Sequence, residues 1–126
     1  MIRTIAICYG NVFILLGIMG FIPFFTPKDM LLGAFHVNAM LNIVHMLTGI
    51  IALWVGSSST EGSKVFFQVF GVIYVLFAIL GFGYGDKPLL GLIANNIADS
   101  GLHLLIGAVS LYLGFGISLP EKKQVP

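Results

Sequence analysis

"HMLTGIIALWVG" (45–56) returns in outline as "HLLIGAVSLYLG" (103–114). Each stretch opens on His, carries Gly four residues on, and closes on Gly. A histidine inside an apolar run is costly, so writing it twice in one setting asks for a reason. Shifting the chain by 58 positions brings its halves into register. Leu31-Leu32-Gly33 falls on Leu89-Leu90-Gly91, Asn38 on Asn96, His45 on His103, and Gly49 on Gly107. Leu53 matches Leu111, Gly56 matches Gly114, and the aromatics Trp54 and Tyr112 coincide. Upstream, "YGNVFILLGIMGF" (9–21) resembles "FGVIYVLFAILGF" (70–82) at a shift of 61. Polar and Gly positions do not recur by chance as Leu and Ile do, so the chain reads as two tandem copies of one unit.

The unit is a pair of membrane helices. Hydrophobic residues make up 58% of the 126-residue chain and charged residues 9%, against roughly 25% charged in ordinary globular chains. So little charge cannot cover a water-soluble surface, and mean hydropathy is +1.04. Four runs are long enough to cross a bilayer core, at about 20 helical residues each. They are Ile5–Phe25, Val37–Gly56, Val65–Phe82 and Ile97–Ile117. They are separated by "TPKD" (26–29), "SSSTEGSK" (57–64) and "GYGDKP" (83–88), read as loops. Each run must be helical, because lipid satisfies no backbone group, and none shows the alternation of a barrel strand. The first run is too long for a signal peptide, lacks a clear small-residue cleavage site, and has a counterpart later in the chain; it is read as a mature span.

The expected architecture is therefore an all-α, four-transmembrane-helix bundle built from two tandem parallel helix-hairpin repeats. It forms one membrane domain over 1–126, with repeat 1 at about 5–56, repeat 2 at about 65–117 and a tail at 118–126. Hairpins entering in the same direction are related by a pseudo-two-fold axis along the membrane normal. With four spans, Arg3, Lys64, Lys122 and Lys123 share one side and Lys28 and Lys87 the other. The excess predicts cytoplasmic N- and C-termini.

In the second span, Asn38, Asn42, His45 and Gly49 form one helical stripe. In the fourth, Asn95 or Asn96, Asp99, His103 and Gly107 form its equivalent, with Thr48 and Ser100 at the edges. Such stripes face protein or water, and the simplest arrangement turns both toward the pseudo-axis, bringing the imidazoles together at one depth. Asp99 is the only acid within a span and lies one turn from His103, close enough for an orienting hydrogen bond. The 58 shift puts Leu41 opposite Asp99, with Asn42 beside it as a substitute. The candidate cofactor-binding set is His45, His103, Asp99, Asn42, Asn38, Asn96, Gly49 and Gly107. The candidate metal set is His45, His103 and Asp99. Haem b held through both axial positions, or a transition metal, are the candidate groups. The competing reading makes the stripes interhelical glue, with the glycines serving close packing rather than leaving room for a flat ligand.

His36 has Ala94 at its repeat position and reads as interfacial, and Met30, Met40 and Met46 read as packing rather than copper ligands. Cys8 is the only cysteine, so no intrachain disulfide forms. A net charge of +1 leaves no footprint for nucleic acid. No phosphate loop, dinucleotide fingerprint, nucleophile elbow or HExxH is present, so nothing marks an enzyme.

"NIVHMLTG" (42–49) and "NNIADSGLHLLIG" (95–107) resemble the paired signatures of a bacterial family of small four-helix membrane proteins, filed as a domain of unknown function. More distantly, the layout resembles DoxX-like proteins. The specific part is Asn96, Asp99, His103 and Gly107. The resemblance implies a four-helix bundle in a bacterial inner membrane and no particular activity. Three functions stay open: an intramembrane cofactor or ligand site between the second and fourth spans, a non-catalytic accessory or scaffold subunit of a homo-oligomer or larger complex, and proton or small-solute transport.

Overall fold

The computed structural model describes residues 1–119. Four helices long and apolar enough to cross a membrane make up the bundle. Helix α1 spans Ile2–Phe21, α2 Ala39–Ser58, α3 Thr60–Tyr84 and α4 Ile97–Leu111, which continues as a π-helical turn over Tyr112–Gly116. The tail lysines Lys122 and Lys123 lie outside the described residues.

Two boundaries differ from the sequence reading. The first helix runs Ile2–Phe21 rather than Ile5–Phe25. Pro23 forces the preceding Ile22 into extended geometry, and Pro23–Phe25 becomes a short 3-10 turn. The run 57–64, expected as a loop, is helical except at Ser59. There the polar side chains serve the helix ends. Ser59 Oγ accepts from the Gly62 N–H at 2.9 Å, and Ser63 Oγ donates to the Ser59 carbonyl at 2.8 Å. Hydroxyl residues compete with the backbone for its own hydrogen bonds, so one Ser can end one helix and start the next.

The repeat is present in backbone detail. In the first copy, strands β1 (Met30–Leu31) and β2 (Phe35–His36) form a small antiparallel hairpin. In the second, Leu89 pairs with Ile93 in the corresponding bridge. The turns match: φ is 53° at Leu32 and 74° at Gly33, and 52° at Leu90 and 72° at Gly91. Positive φ at both central residues is the tight hairpin geometry that normally demands Gly or Asn, and each copy pays with a Leu in that conformation. Each hairpin leads to an Asn that caps the next helix. Asn38 Oδ1 accepts from Leu41 N–H at 2.9 Å, and Asn96 Oδ1 from Asp99 N–H at 2.8 Å. The amide nitrogens cross over: Asn38 donates to the Leu92 carbonyl at 3.0 Å, and Asn96 to the Ala34 carbonyl at 2.9 Å. That reciprocal exchange is what a pseudo-two-fold axis between the hairpins produces.

Helices pack most extensively inside each hairpin, α1 on α2 and α3 on α4. Glycine permits the approach. A Cβ on Gly49 would lie 2.6 Å from the Gly10 carbonyl oxygen, and one on Gly107 would lie 2.7 Å from the Val75 nitrogen. Basic residues cap the far ends. Arg3 donates to the carbonyls of Gly56 (2.9 Å) and Ser57 (2.7 Å) at the end of α2, and Lys64 to Ile117 (3.0 Å) beyond α4. Cations there complement the negative end of the helix dipole. The outer surface is apolar, with Leu47, Ile79 and Leu105 more than half exposed, while Thr48, Asn95, Asp99, Ser100, His103 and Ser110 are buried. Polar residues point inward and apolar ones outward, the distribution a bilayer demands.

Candidate functional site

His45 and His103 each lie seven residues beyond the Asn that caps their helix. At 1.5 Å per residue both sit about 10 Å inside the bundle, at one depth. Their Nε2 atoms approach to 3.5 Å and their ring centroids to 5.8 Å, with the planes at 71°. Exposure is 4% for His45 and 0% for His103. Aromatic rings wall the pair. Phe13 stands edge-on to His45 at 5.5 Å, and Tyr74 and Phe77 lie 5.4 and 5.9 Å from His103. Apolar clusters lie on either side along α2: Leu31, Val37, Leu41 and Ala94 toward the hairpin turns, and Ile2, Ala6, Ala52, Phe66, Phe67 and Leu113 toward the termini.

The other predicted residues separate into distinct roles. Asn42 is buried, with its Oδ1 unpartnered against the position of Gly20 on α1. Asn38 and Asn96 are caps and cross-hairpin clasps, not neighbours of the imidazoles. Gly49 and Gly107 face the backbones of α1 and α3, so the space beside them belongs to the helix seams and not to a flat ligand. The expected hydrogen bond from Asp99 to His103 does not form: Asp99 Oδ2 and His103 Nδ1 are both buried without a partner. The carboxyl instead engages the backbone amides of Asn96 and His36. An aspartate three residues beyond a helix cap reaches back to the capping residue, and that geometry outcompetes the longer reach along the helix.

The two Nε2 atoms are in direct contact, and Phe13, Tyr74 and Phe77 pack around the two rings. Among the described residues no group of three His, Cys, Asp or Glu side chains comes together that could hold a metal ion. Of the three residues His45, His103 and Asp99, the two imidazoles are in contact and the carboxyl stands apart from them.

Hydroxyl pairs not anticipated from the sequence extend the polar interior. Tyr74 and Thr48 bond at 2.9 Å across α3 and α2, and Tyr9 and Ser110 at 3.1 Å across α1 and α4. The signal for them was a hydroxyl-bearing residue in mid-span, legible only once the opposing helix was known. Asp99, His103 and Ser110 share one face of α4 and cover about 16 Å of its length. A polar column thus runs along this part of the bundle, with the apolar residues Ile2, Ala6, Ala52, Phe66, Phe67 and Leu113 packed at the end nearest the termini.

The chain belongs to the family described as Domain of unknown function (DUF4383), which matches residues 3–116. Neither the curated proteins nor the solved structures give a match. The chain is a multi-pass membrane protein of that family, and the family supplies no activity to carry over.

Proposed function

We propose that the protein relays protons across the membrane through the His45–His103 pair. The supporting observation is one contact with its loose ends: Nε2 meets Nε2 at 3.5 Å while both Nδ1 atoms are buried without partners. A neutral imidazole donates from one nitrogen and accepts at the other. If one ring carries its hydrogen on Nε2, the other must present a bare Nε2 and carry its hydrogen on Nδ1. The pair then has one bare Nδ1 and one Nδ1–H facing outward. A proton arriving at the bare Nδ1 moves the shared hydrogen across the Nε2 contact and releases the far Nδ1 hydrogen. One proton enters, one leaves, and the tautomers exchange. They must return before the next transfer.

Leaving those nitrogens unpaired in the core costs about 1–3 kcal/mol each. Pure glue has no use for that cost, whereas a relay does. The Tyr74–Thr48 and Tyr9–Ser110 pairs continue the column toward the termini. A wire of side chains and single waters needs no open pore, so one bundle suffices without an oligomer. The basic residues Arg3 and Lys64 on the side of the termini favour a cytoplasmic location for that end, in a bacterial inner membrane.

The test is proton flux into liposomes carrying purified protein, driven by a potassium diffusion potential and read with an internal pH dye. The native chain should exceed protein-free liposomes, and His45→Ala or His103→Ala should each lower the flux about 100-fold, the range of a lost proton-transfer group. Native flux equal to that of empty liposomes ends the relay reading. A variant that loses thermal stability but keeps its flux makes the pair structural.

A further inference from the structure

The two copies differ where one of them meets water. At the level of the hairpin turns, Lys28, Met30, His36, Asp86 and Asn96 line an open recess of about 350 Å³. Two of these residues, His36 and Asn96, are the ones whose backbone amides the Asp99 carboxyl engages. Asp99 itself is 1% exposed, and its Oδ2 has no partner. It lies one turn above His103 on the same face of α4, where Cβ atoms stand about 5–6 Å apart. In the other copy the corresponding position is Leu41, fully buried in an apolar cluster. One hairpin therefore closes the route from the turns to the imidazoles with a hydrocarbon side chain, and the other places a carboxyl in it.

We infer that Asp99 is the proton port of the protein: it takes protons from water in the recess formed by Lys28, His36, Asp86 and Asn96 and passes them to Nδ1 of His103. This inference rests on the relay reading. The step is balanced. Oδ2 gains a proton from a hydronium ion in the recess, and the neutral acid then gives it to the bare Nδ1, restoring the carboxylate. The titratable and charged groups around this route are His36 and Lys28 from the segment between α1 and α2, Asp86 from the turn after α3, His103 on α4, and His45 on α2 beyond it. α3 brings the Tyr74 hydroxyl, already bonded to Thr48, and ends in Tyr84 just before the turn that carries Asp86.

The port has a readout separate from flux. In infrared difference spectra of the full chain in lipid, lowering the bulk pH should raise the carbonyl stretch of a protonated carboxylic acid. The band should move when the buffer is exchanged for heavy water. It should vanish in Asp99→Asn and reappear displaced in Asp99→Glu. It should persist in His45→Ala and His103→Ala, so an inactive relay and a misplaced port give different results. In the liposome assay, Asp99→Asn should reduce flux at least about tenfold, with Asp99→Glu recovering most of it. A band untouched by bulk pH, a band that survives Asp99→Asn, or full flux in Asp99→Asn overturns the inference.

Discussion

The two hairpins share a backbone and divide the chemistry. Turn, cap, seam and imidazole occupy equivalent places in both, down to φ values within a few degrees at Leu32 and Leu90. The residues that differ line the interior. Leu41 stands where Asp99 does, Asn42 where Ser100 does, Phe13 where Tyr74 does, and Ala52 where Ser110 does. Asp99, Tyr74 and Ser110 are buried where their counterparts Leu41, Phe13 and Ala52 are apolar, whereas Asn42 and Ser100 keep a buried polar group in both copies. The lesson is one of division: positions that hold the hairpins together had to stay alike, because the clasp and the seam work only in matched pairs. Positions along the axis were free to diverge, and their divergence gives the interior a direction.

The strongest way to break this comparison is at the seams. Gly49→Leu and Gly107→Leu each drive a side chain into a neighbouring backbone, at 2.6 Å from the Gly10 oxygen and 2.7 Å from the Val75 nitrogen. Both should lose about 3 kcal/mol or more, read as thermal unfolding in detergent. A loss in only one hairpin would mean that the seams are not equivalent. The clasps sharpen it at a smaller scale. Asn38→Ala and Asn96→Ala should each cost about 1 kcal/mol through the lost cap, with somewhat more from the lost bond to the opposite hairpin. Unequal costs would show that one hairpin leans on the other without return. The smallest effect belongs to the hydroxyls. Tyr74→Phe and Tyr9→Phe should each cost about 0.6 kcal/mol, the usual worth of an interhelical bond in lipid. Tyr74 adjoins His103, so Tyr74→Phe should also change the relay rate more than Tyr9→Phe does.

The architecture was legible because it was written twice. Any one of His45, Gly49 or Asn38 reads ambiguously, but a constant offset to His103, Gly107 and Asn96 fixed the pairing, the depth and the axis together. The linker between repeats misled for a physical reason: "SSSTEGSK" has the composition of a loop, and the same hydroxyls are what a helix end uses when two helices meet at Ser59. The site was half legible. Spacing placed the imidazoles on facing stripes, but it gave no way to choose between partners for Asp99. His103 lies one turn along the same helix, whereas His36 comes from β2, distant in sequence, and reaches Asp99 only through the fold. The glycines were ambiguous for a similar reason, since a missing side chain looks the same beside a ligand and beside another backbone.

The crossed amides at Asn38 and Asn96 carry a consequence for how the molecule is made. Each hairpin can close on itself as it leaves the ribosome, because its seam joins two helices that are neighbours in the chain. Neither can satisfy its own asparagine, whose acceptor is a carbonyl of the sibling. Until the second half arrives, the Asn38 amide is left to water at the exposed end of the first hairpin. Maturation is a docking of two finished parts, covalently tethered at Ser59 so that the search is short.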